Sequence, residues 1–135
     1  MVGADGVIRG PAGDGRVAAV AITDVADVAT AVLQQPGAHD GATYVLSGPQ
    51  ALTLDEAAAQ IGAATDRVVT YHRETKQEAY ASRASYAAPA WQVDAWVSTY
   101  TAIAAGEAEQ ITDHVERLSG HPATSLAQLL NGMGG

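Results

Sequence analysis

The order of the candidate strands and helices is the feature that most constrains the fold of this chain. Two segments rich in β-branched and aromatic residues, 43–46 and 67–71, have the composition of strands. Each is followed by a segment with helical spacing, 53–63 and 75–85, and beyond residue 89 only helical patterns occur. A few strands that alternate with helices, and then helices alone, indicate the second half of an α/β protein. We therefore predict an α/β fold (α+β as an isolated piece) with a few short strands and about five to six helices.

The first helix is predicted to begin at Asp24, after an alanine-rich and β-branched run over residues 16–22 that is typical of an extended segment. In this interpretation Asp24 accepts hydrogen bonds from the free N–H groups of the first turn, and Asp27 complements the helix dipole. We expect one apolar stripe of this helix to be buried, and it consists of Val25, Val28, Ala29, Val32 and Leu33.

Capping residues mark the beginnings of other helices. Thr53 with Glu56, and Ser125 with Gln128, have the spacing of a capping box, in which two side chains satisfy free N–H groups reciprocally. Pro89 suits the first turn of a long helix because that turn needs no N–H donor.

The charge and cysteine content exclude several classes of protein. With 15 acidic against 7 basic residues, the net charge is −8, and Lys76 is the single lysine. Nucleic acids and anionic membranes are therefore not expected as partners, because both require clustered cations. The absence of cysteine excludes disulfides, zinc-thiolate sites and thiol nucleophiles. No signal peptide or apolar span is recognised, so a cytoplasmic location is expected.

Several segments, in their order and spacing, resemble NmrA-like atypical short-chain dehydrogenases, which are NAD(P)-binding oxidoreductases. The resembling segments are residues 24–29, 41–49, 52–58, 100–106 and 112–122. They correspond to the region after the central sheet, a late strand with its glycine-proline turn, the helix that follows, and the terminal helices. The resemblance implies a partial Rossmann-type C-terminal region on the substrate side, lacking the N-terminal half that holds the cofactor.

The cofactor motifs of such enzymes are missing from this chain. The one glycine-rich candidate, residues 10–15, has the wrong spacing for a pyrophosphate turn, contains a proline, and leads into an extended run instead of a helix. No tyrosine has a lysine four positions later, so the Tyr-x-x-x-Lys pair is absent. We expect no cofactor in this chain alone, and NAD(P) only where a partner Rossmann half exists. Whether the chain is an enzyme stays open.

Aromatic residues cluster in the second half of the chain. Five of the seven fall within 21 positions, and they are the candidate substrate-binding residues: Tyr80, Tyr86, Trp91, Trp96 and Tyr100. Aromatic rings with a polar tip line small-molecule pockets well. Trp96 and Tyr100 also fit the buried stripe of a helix, which is the favoured interpretation for Trp96. The other three fit a pocket and an exposed surface equally.

A polar cluster follows the second candidate strand and consists of Tyr71, His72, Arg73, Glu74 and Lys76. Ligands often collect at strand ends, and His72 is a weak candidate for a catalytic acid or base. A solvated polar loop is the favoured alternative.

Metal binding is not expected. Asp113, His114 and His121 match no strong metal-ligand spacing.

Three functional hypotheses follow. The first is the substrate-side portion of an NmrA-like NAD(P)-dependent oxidoreductase that acts on a small organic molecule and needs another chain for its cofactor. The second is a cofactor-free small-molecule-binding protein, cyclase or isomerase. The third is a non-enzymatic regulatory or interaction module. We expect a single domain over residues 1–130 with a frayed tail over 131–135. We also expect a homodimer or a complex with another chain, since the resemblance implies that apolar faces lack their usual neighbours.

Overall fold

The computed structural model describes residues 2–132 and contains six α-helices and four short strands in that range. The strands are β1 (Val7–Gly10), β2 (Arg16–Val17), β3 (Leu52–Thr53) and β4 (Thr70–Arg73). The helices are α1 (Ile22–Gln34), α2 (Leu54–Thr65), α3 (Lys76–Arg83), α4 (Ala90–Ala104), α5 (His114–Ser119) and α6 (Leu126–Gly132). Short 3-10 turns occupy Pro36–Ala38 and Ala84–Tyr86.

The chain divides into two compact units, which we call unit 1 (residues 2–17 and 52–109) and unit 2 (residues 18–51 and 110–132). The predicted single domain over residues 1–130 stays a prediction. Of its predicted frayed tail, Asn131 and Gly132 lie within α6, and residues 133–135 lie outside the described part of the chain.

Unit 1 is organised around a parallel pair of strands. β1 pairs with β4 in a register that sets Ile8 opposite Tyr71, and β2 pairs antiparallel with β3. The core of the unit consists of Ile8, Ala12, Ala58, Tyr71 and Ile103. Because side chains alternate along a strand, the neighbours of Ile8 in β1 point away from this core.

The loop after β1 is fixed by one buried hydroxyl group. The Tyr71 hydroxyl donates to the Gly10 carbonyl at 2.7 Å and accepts from the Ala12 N–H at 3.0 Å. Burial raises the pKa of Tyr71, which keeps the phenol neutral. Two backbone groups of a buried loop thus find partners that no strand supplies.

Helix α4 packs in close contact with the backbone of this loop at two glycines. A Cβ atom at Gly10 would collide with the Tyr100 ring, and one at Gly15 would collide with the Ile103 carbonyl. Glycine is therefore required at both positions for close approach.

Side-chain caps begin three of the helices. The predicted capping boxes of Thr53 with Glu56 and of Ser125 with Gln128 are confirmed by reciprocal hydrogen bonds of 2.9–3.2 Å. A third box, formed by Thr75 with Glu78, begins α3. Pro89, which the sequence places in the first turn of a long helix, is instead the N-cap residue, one position before α4 begins.

The predicted role of Asp24 is wrong. α1 begins at Ile22, so Asp24 lies inside the first turn, where it is buried and accepts from the Thr124 N–H and hydroxyl, both at 2.7 Å. The carboxylate therefore ties the segment before α6 to α1. A partner 100 residues away in the chain leaves no local signal.

The buried face of α1 is also rotated from the predicted stripe. Asp24 and Val28 are buried, Val32 is half-buried, and three residues of the stripe are exposed: Val25, Ala29 and Leu33. α1 packs on α5 of the same unit, and the bonds of Asp24 turn its own side of the helix inward.

The predicted strand over residues 43–46 does not form. Side chains near the start of α5 bind its backbone instead: the Thr112 hydroxyl donates to the Val45 carbonyl at 2.6 Å, and the Val45 N–H donates to His114 Nδ1 at 3.0 Å. Strand-forming residues need a neighbouring backbone, and within the described residues this segment has none in register. The other two extended predictions are displaced: the strand predicted over 67–71 lies at Thr70–Arg73, and only Arg16–Val17 of the first run pairs.

His121 links the end of α5 to α1 in unit 2. Its Nδ1 lies 2.9 Å from the Pro122 carbonyl, and its Nε2 lies 3.2 Å from the Asp27 carboxylate. Both neighbours are acceptors, so both bonds form at once only when the ring carries two protons. The Pro122 carbonyl, then Asp27 and Asp24, raise the pKa of His121.

None of the helices within residues 2–132 combines the length and the apolar character that crossing a bilayer requires.

Replacing Tyr71 with Phe should lower the free energy of unfolding by about 2 kcal/mol, because a buried carbonyl and a buried N–H lose their partner. Urea denaturation followed by circular dichroism measures the effect. Tyr86→Phe is the matched control, since that ring is 70% exposed. A loss at Tyr71 no larger than at Tyr86 would show that the hydroxyl does not hold the loop.

Asp27→Asn should lower the pKa of His121, as seen in an NMR titration of the imidazole Cε1 proton. Folding raises this pKa above the ordinary value of 6.5, so the bonds of the protonated His121 ring stabilise the folded state. This stabilisation is fully present below pH 6.5. It is lost as the pH rises through the folded-state pKa. An unchanged His121 titration in the variant would argue against the ion pair.

Candidate functional site

Unit 1 contains a cavity of about 550 Å³ beside β1, the end of α3 and one face of α4. Most of its lining is apolar or aromatic, with two guanidinium groups. The lining residues are Gly3, Val7, Arg9, Leu54, Ser82, Arg83, Tyr86, Trp96, Thr99, Tyr100 and Ile103.

Regular spacing in two elements builds most of this wall. α4 contributes the positions i, i+3, i+4 and i+7 of one helical face, which are Trp96, Thr99, Tyr100 and Ile103. In β1, Val7 and Arg9 share the face opposite the buried Ile8. The helix and the strand therefore each present one side to the cavity.

The aromatic rings of the lining contact one another and a cation. Tyr86 and Trp96 meet edge to face, with centroids 5.9 Å apart. The Arg83 guanidinium lies 5.4 Å from the centroid of the Tyr100 ring, a cation–π distance. These contacts place the rings next to one another along the lining.

One lining residue, Arg83, takes part in a buried ion pair. Arg83 Nη1 donates to Glu74 Oε2 at 2.8 Å, and the two side chains are only 10% and 3% exposed. The same guanidinium donates to the Ala79 carbonyl at 2.9 Å and to the Arg9 carbonyl at 3.1 Å. Arg83 thereby joins α3, the segment after β4 and the backbone of β1.

The second guanidinium, that of Arg9, forms a two-pronged pair with Asp5. Its Nη1 and Nη2 atoms donate to the two carboxylate oxygens at 3.2 and 2.6 Å, and the Val7 N–H also donates to Asp5 at 3.1 Å. The bonds from Arg9 and Val7 lower the pKa of Asp5, and Asp5 in turn raises the pKa of Arg9. Both side chains are about half exposed.

Three of the five predicted substrate-binding residues line the cavity: Tyr86, Trp96 and Tyr100. The other two lie outside its lining. The Tyr80 hydroxyl donates to Asp94 at 2.9 Å, a bond that raises the pKa of Tyr80, and Trp91 is largely exposed.

His72 lies in β4, exposed, and outside the cavity lining. The cluster around it is more ordered than a solvated loop. Tyr71 is in the core, Arg73 pairs with both Asp14 and Asp55, and Glu74 is buried against an arginine. Sequence reasoning missed Arg9 and Arg83, whose roles depend on partners that only the fold brings near.

The glycine-rich loop over residues 10–15 does not fit a dinucleotide. It joins β1 to β2 instead of joining a strand to a helix. The Ala12 N–H donates to the Tyr71 hydroxyl and the Gly15 N–H donates to the Ala12 carbonyl, while Gly10 and Gly15 face α4. A pyrophosphate needs free N–H groups at a helix N-terminus.

No group of three or more His, Asp or Glu side chains suited to a metal ion occurs among the described residues. Of the sequence candidates, His114 contacts the backbone of Val45 and His121 pairs with Asp27.

Comparison with known proteins gives relatives of this chain. No family model matches the chain. Over 91% of its length it is 31% identical to quinone oxidoreductase 2 of Escherichia coli (strain K12), of which the match covers 43%. It is 32% identical, over 87% of its length, to the NAD(P)H azoreductase of Xenophilus azovorans, of which it covers 41%.

Among solved structures, the NADPH-dependent quinone oxidoreductase of Escherichia coli in complex with NADPH matches with a TM-score of 0.85 and 29% identity. The match covers 96% of this chain and 46% of that one. The chain thus spans less than half the length of these relatives. The predicted fold class is confirmed: it is the C-terminal part of a Rossmann-like, NAD(P)-binding oxidoreductase fold.

Arg83→Met should lower the free energy of unfolding by about 3 kcal/mol, because it leaves the Glu74 carboxylate buried and unpaired. Replacing both partners, as Arg83→Met with Glu74→Leu, should recover most of that loss. Urea denaturation of the single and double variants measures both effects. A double variant as unstable as Arg83→Met would show that the destabilisation comes from lost packing and not from the unpaired charge.

Proposed function

We propose that this chain is the substrate-binding portion of an NmrA-like, NAD(P)H-dependent reductase of small aromatic molecules. One observation carries the proposal: a cavity of about 550 Å³ walled by Tyr86, Trp96 and Tyr100. A volume of this size holds a ligand of one to three rings, and such pockets are typically apolar with few polar groups. The names of two relatives specify a quinone and an azo compound as substrates, and both are flat, conjugated molecules.

In this proposal the residues of unit 1 bind and orient the electron acceptor. The rings of Trp96 and Tyr86 meet at 77°, so a flat ligand that stacks on one of them meets the edge of the other. Such a corner fixes the plane of the ligand, and orientation of the reacting ring is what a hydride transfer needs.

In this proposal the hydride comes from NAD(P)H, which binds outside the cavity and outside the loop over residues 10–15. The loop over residues 10–15 does not fit a dinucleotide, so we assign the NAD(P) site to a separate Rossmann portion. The homologous quinone oxidoreductase binds NADPH, and the match covers less than half of it.

Exposed apolar side chains support a partner for each unit. Val68 in unit 1, and Ile22 and Leu33 in unit 2, are 77–86% exposed. A second copy of the chain, or another chain that carries the cofactor, would cover such residues. The predicted homodimer or complex remains part of this proposal.

The test is binding of 2-methyl-1,4-naphthoquinone to the full chain by isothermal titration calorimetry. Trp96→Ala should raise the Kd about tenfold, because the variant loses one aromatic wall of the cavity. Trp91→Ala is the matched control, since this exposed tryptophan lies outside the lining.

Absence of binding to the unmodified chain would contradict the proposal. An equal loss of affinity in the two tryptophan variants would place the ligand elsewhere.

A further inference from the structure

We propose that the cavity selects uncharged aromatic molecules, and that Asp5 sets this selectivity by holding the guanidinium of Arg9. The inference rests on the proposed function, because it specifies the charge of the substrate that the same cavity binds.

The charges around the cavity balance. Two guanidinium groups line it, those of Arg9 and Arg83. Each has its own carboxylate, with Asp5 at 2.6 Å from Arg9 and Glu74 at 2.8 Å from Arg83. Among the described residues of the lining and their ion-pair partners, two cations and two anions leave no surplus charge to attract an ionised ligand.

Arg83 cannot exchange its partner for an anionic ligand. Its Nη1 atom donates to the Glu74 carboxylate and to the Ala79 carbonyl, and its Nη2 atom donates to the Arg9 carbonyl. Release of Glu74 would leave a carboxylate that is 3% exposed without a counterion, which is strongly unfavourable. A cationic ligand, in turn, would approach two guanidinium groups in an apolar cavity. Uncharged molecules avoid both penalties.

Arg9 differs, because its pair with Asp5 is half exposed. Exposed ion pairs contribute little to stability and exchange readily. Asp5 is nevertheless held in place, since it also accepts from the Val7 N–H at 3.1 Å and meets Arg9 with both oxygens. Removal of this one negative charge would leave the Arg9 guanidinium available to an anion in the cavity.

The experiment compares two probes of similar ring size, 2-methyl-1,4-naphthoquinone and 1,4-naphthoquinone-2-sulfonate. Calorimetry on the full chain gives the Kd of each. The absence of cysteine removes the thiols to which quinones add, so binding is measured without that side reaction. The unmodified chain should bind the uncharged quinone about tenfold more tightly, because the sulfonate loses hydration without gaining a free cation.

Asp5→Asn should reduce this preference about fivefold, by tighter binding of the sulfonate to a charge-assisted donor. Asp14→Asn is the matched control. It removes the same charge from an ion pair of the same type, with Arg73 at 2.6 Å, and neither partner lines the cavity. The control should leave the preference unchanged.

Each result decides one point. Sulfonate binding as tight as quinone binding in the unmodified chain would overturn the selectivity and leave the proposed function intact. An equal shift in the Asp5 and Asp14 variants would overturn the assignment to Asp5. Failure of both probes to bind the unmodified chain would overturn the proposed function together with this inference.

Discussion

The buried pair of Arg83 and Glu74 is the interaction on which the arrangement of unit 1 depends. The guanidinium contacts the segment after β4, the carbonyl of Arg9 in β1, and the ring of Tyr100 in α4. Of these elements, β1 and α4 contribute lining residues to the cavity. An ion pair in this position is weak as a source of net stability, but an arginine fork fixes geometry because it satisfies several acceptors in set directions. The pair thus specifies how helix and strand meet.

The pairing of each cation with an anion also determines the chemical character of the cavity. Its wall is built from rings and apolar side chains, and each guanidinium that reaches it is matched by a carboxylate. Under the proposed function, such a site would hold its ligand by stacking and by exclusion of water, since both guanidinium groups already have carboxylate partners. The uncharged aromatic electron acceptors of that proposal have the chemistry that such a wall suits. The whole chain has a net charge of −8, whereas the two arginines of the described lining and their two carboxylate partners sum to zero.

Local patterns predicted the features whose partners lie close together in the sequence. The capping boxes at Thr53 and Ser125 depend on side chains three residues apart, so the residues themselves determine the result. The fold class followed from the order of the elements. The clustering of aromatic residues pointed to the helix that forms the cavity wall, although Trp91 and Tyr80 of the same cluster lie outside the lining.

Contacts between residues that lie far apart in the chain could not be predicted from the sequence. Nothing near Asp24 indicates Thr124, and nothing near Arg83 shows that a turn after β4 brings Glu74 beneath it. The strand predicted over residues 43–46 does not form, for a different reason. Strand propensity describes how side chains fit a pleated surface, and it forms no strand where the neighbouring backbone is missing.

The close approach of α4 to Gly10 and Gly15 limits how this cavity can change. A Cβ atom at Gly10 would collide with the Tyr100 ring, and one at Gly15 would collide with the Ile103 carbonyl, so the lack of a side chain at these two positions is what lets α4 lie this close to the loop. A larger residue at either glycine would push α4 away from the loop. While both glycines are kept, the shape of the cavity changes through the side chains that α4 contributes to its lining, such as Trp96 and Thr99.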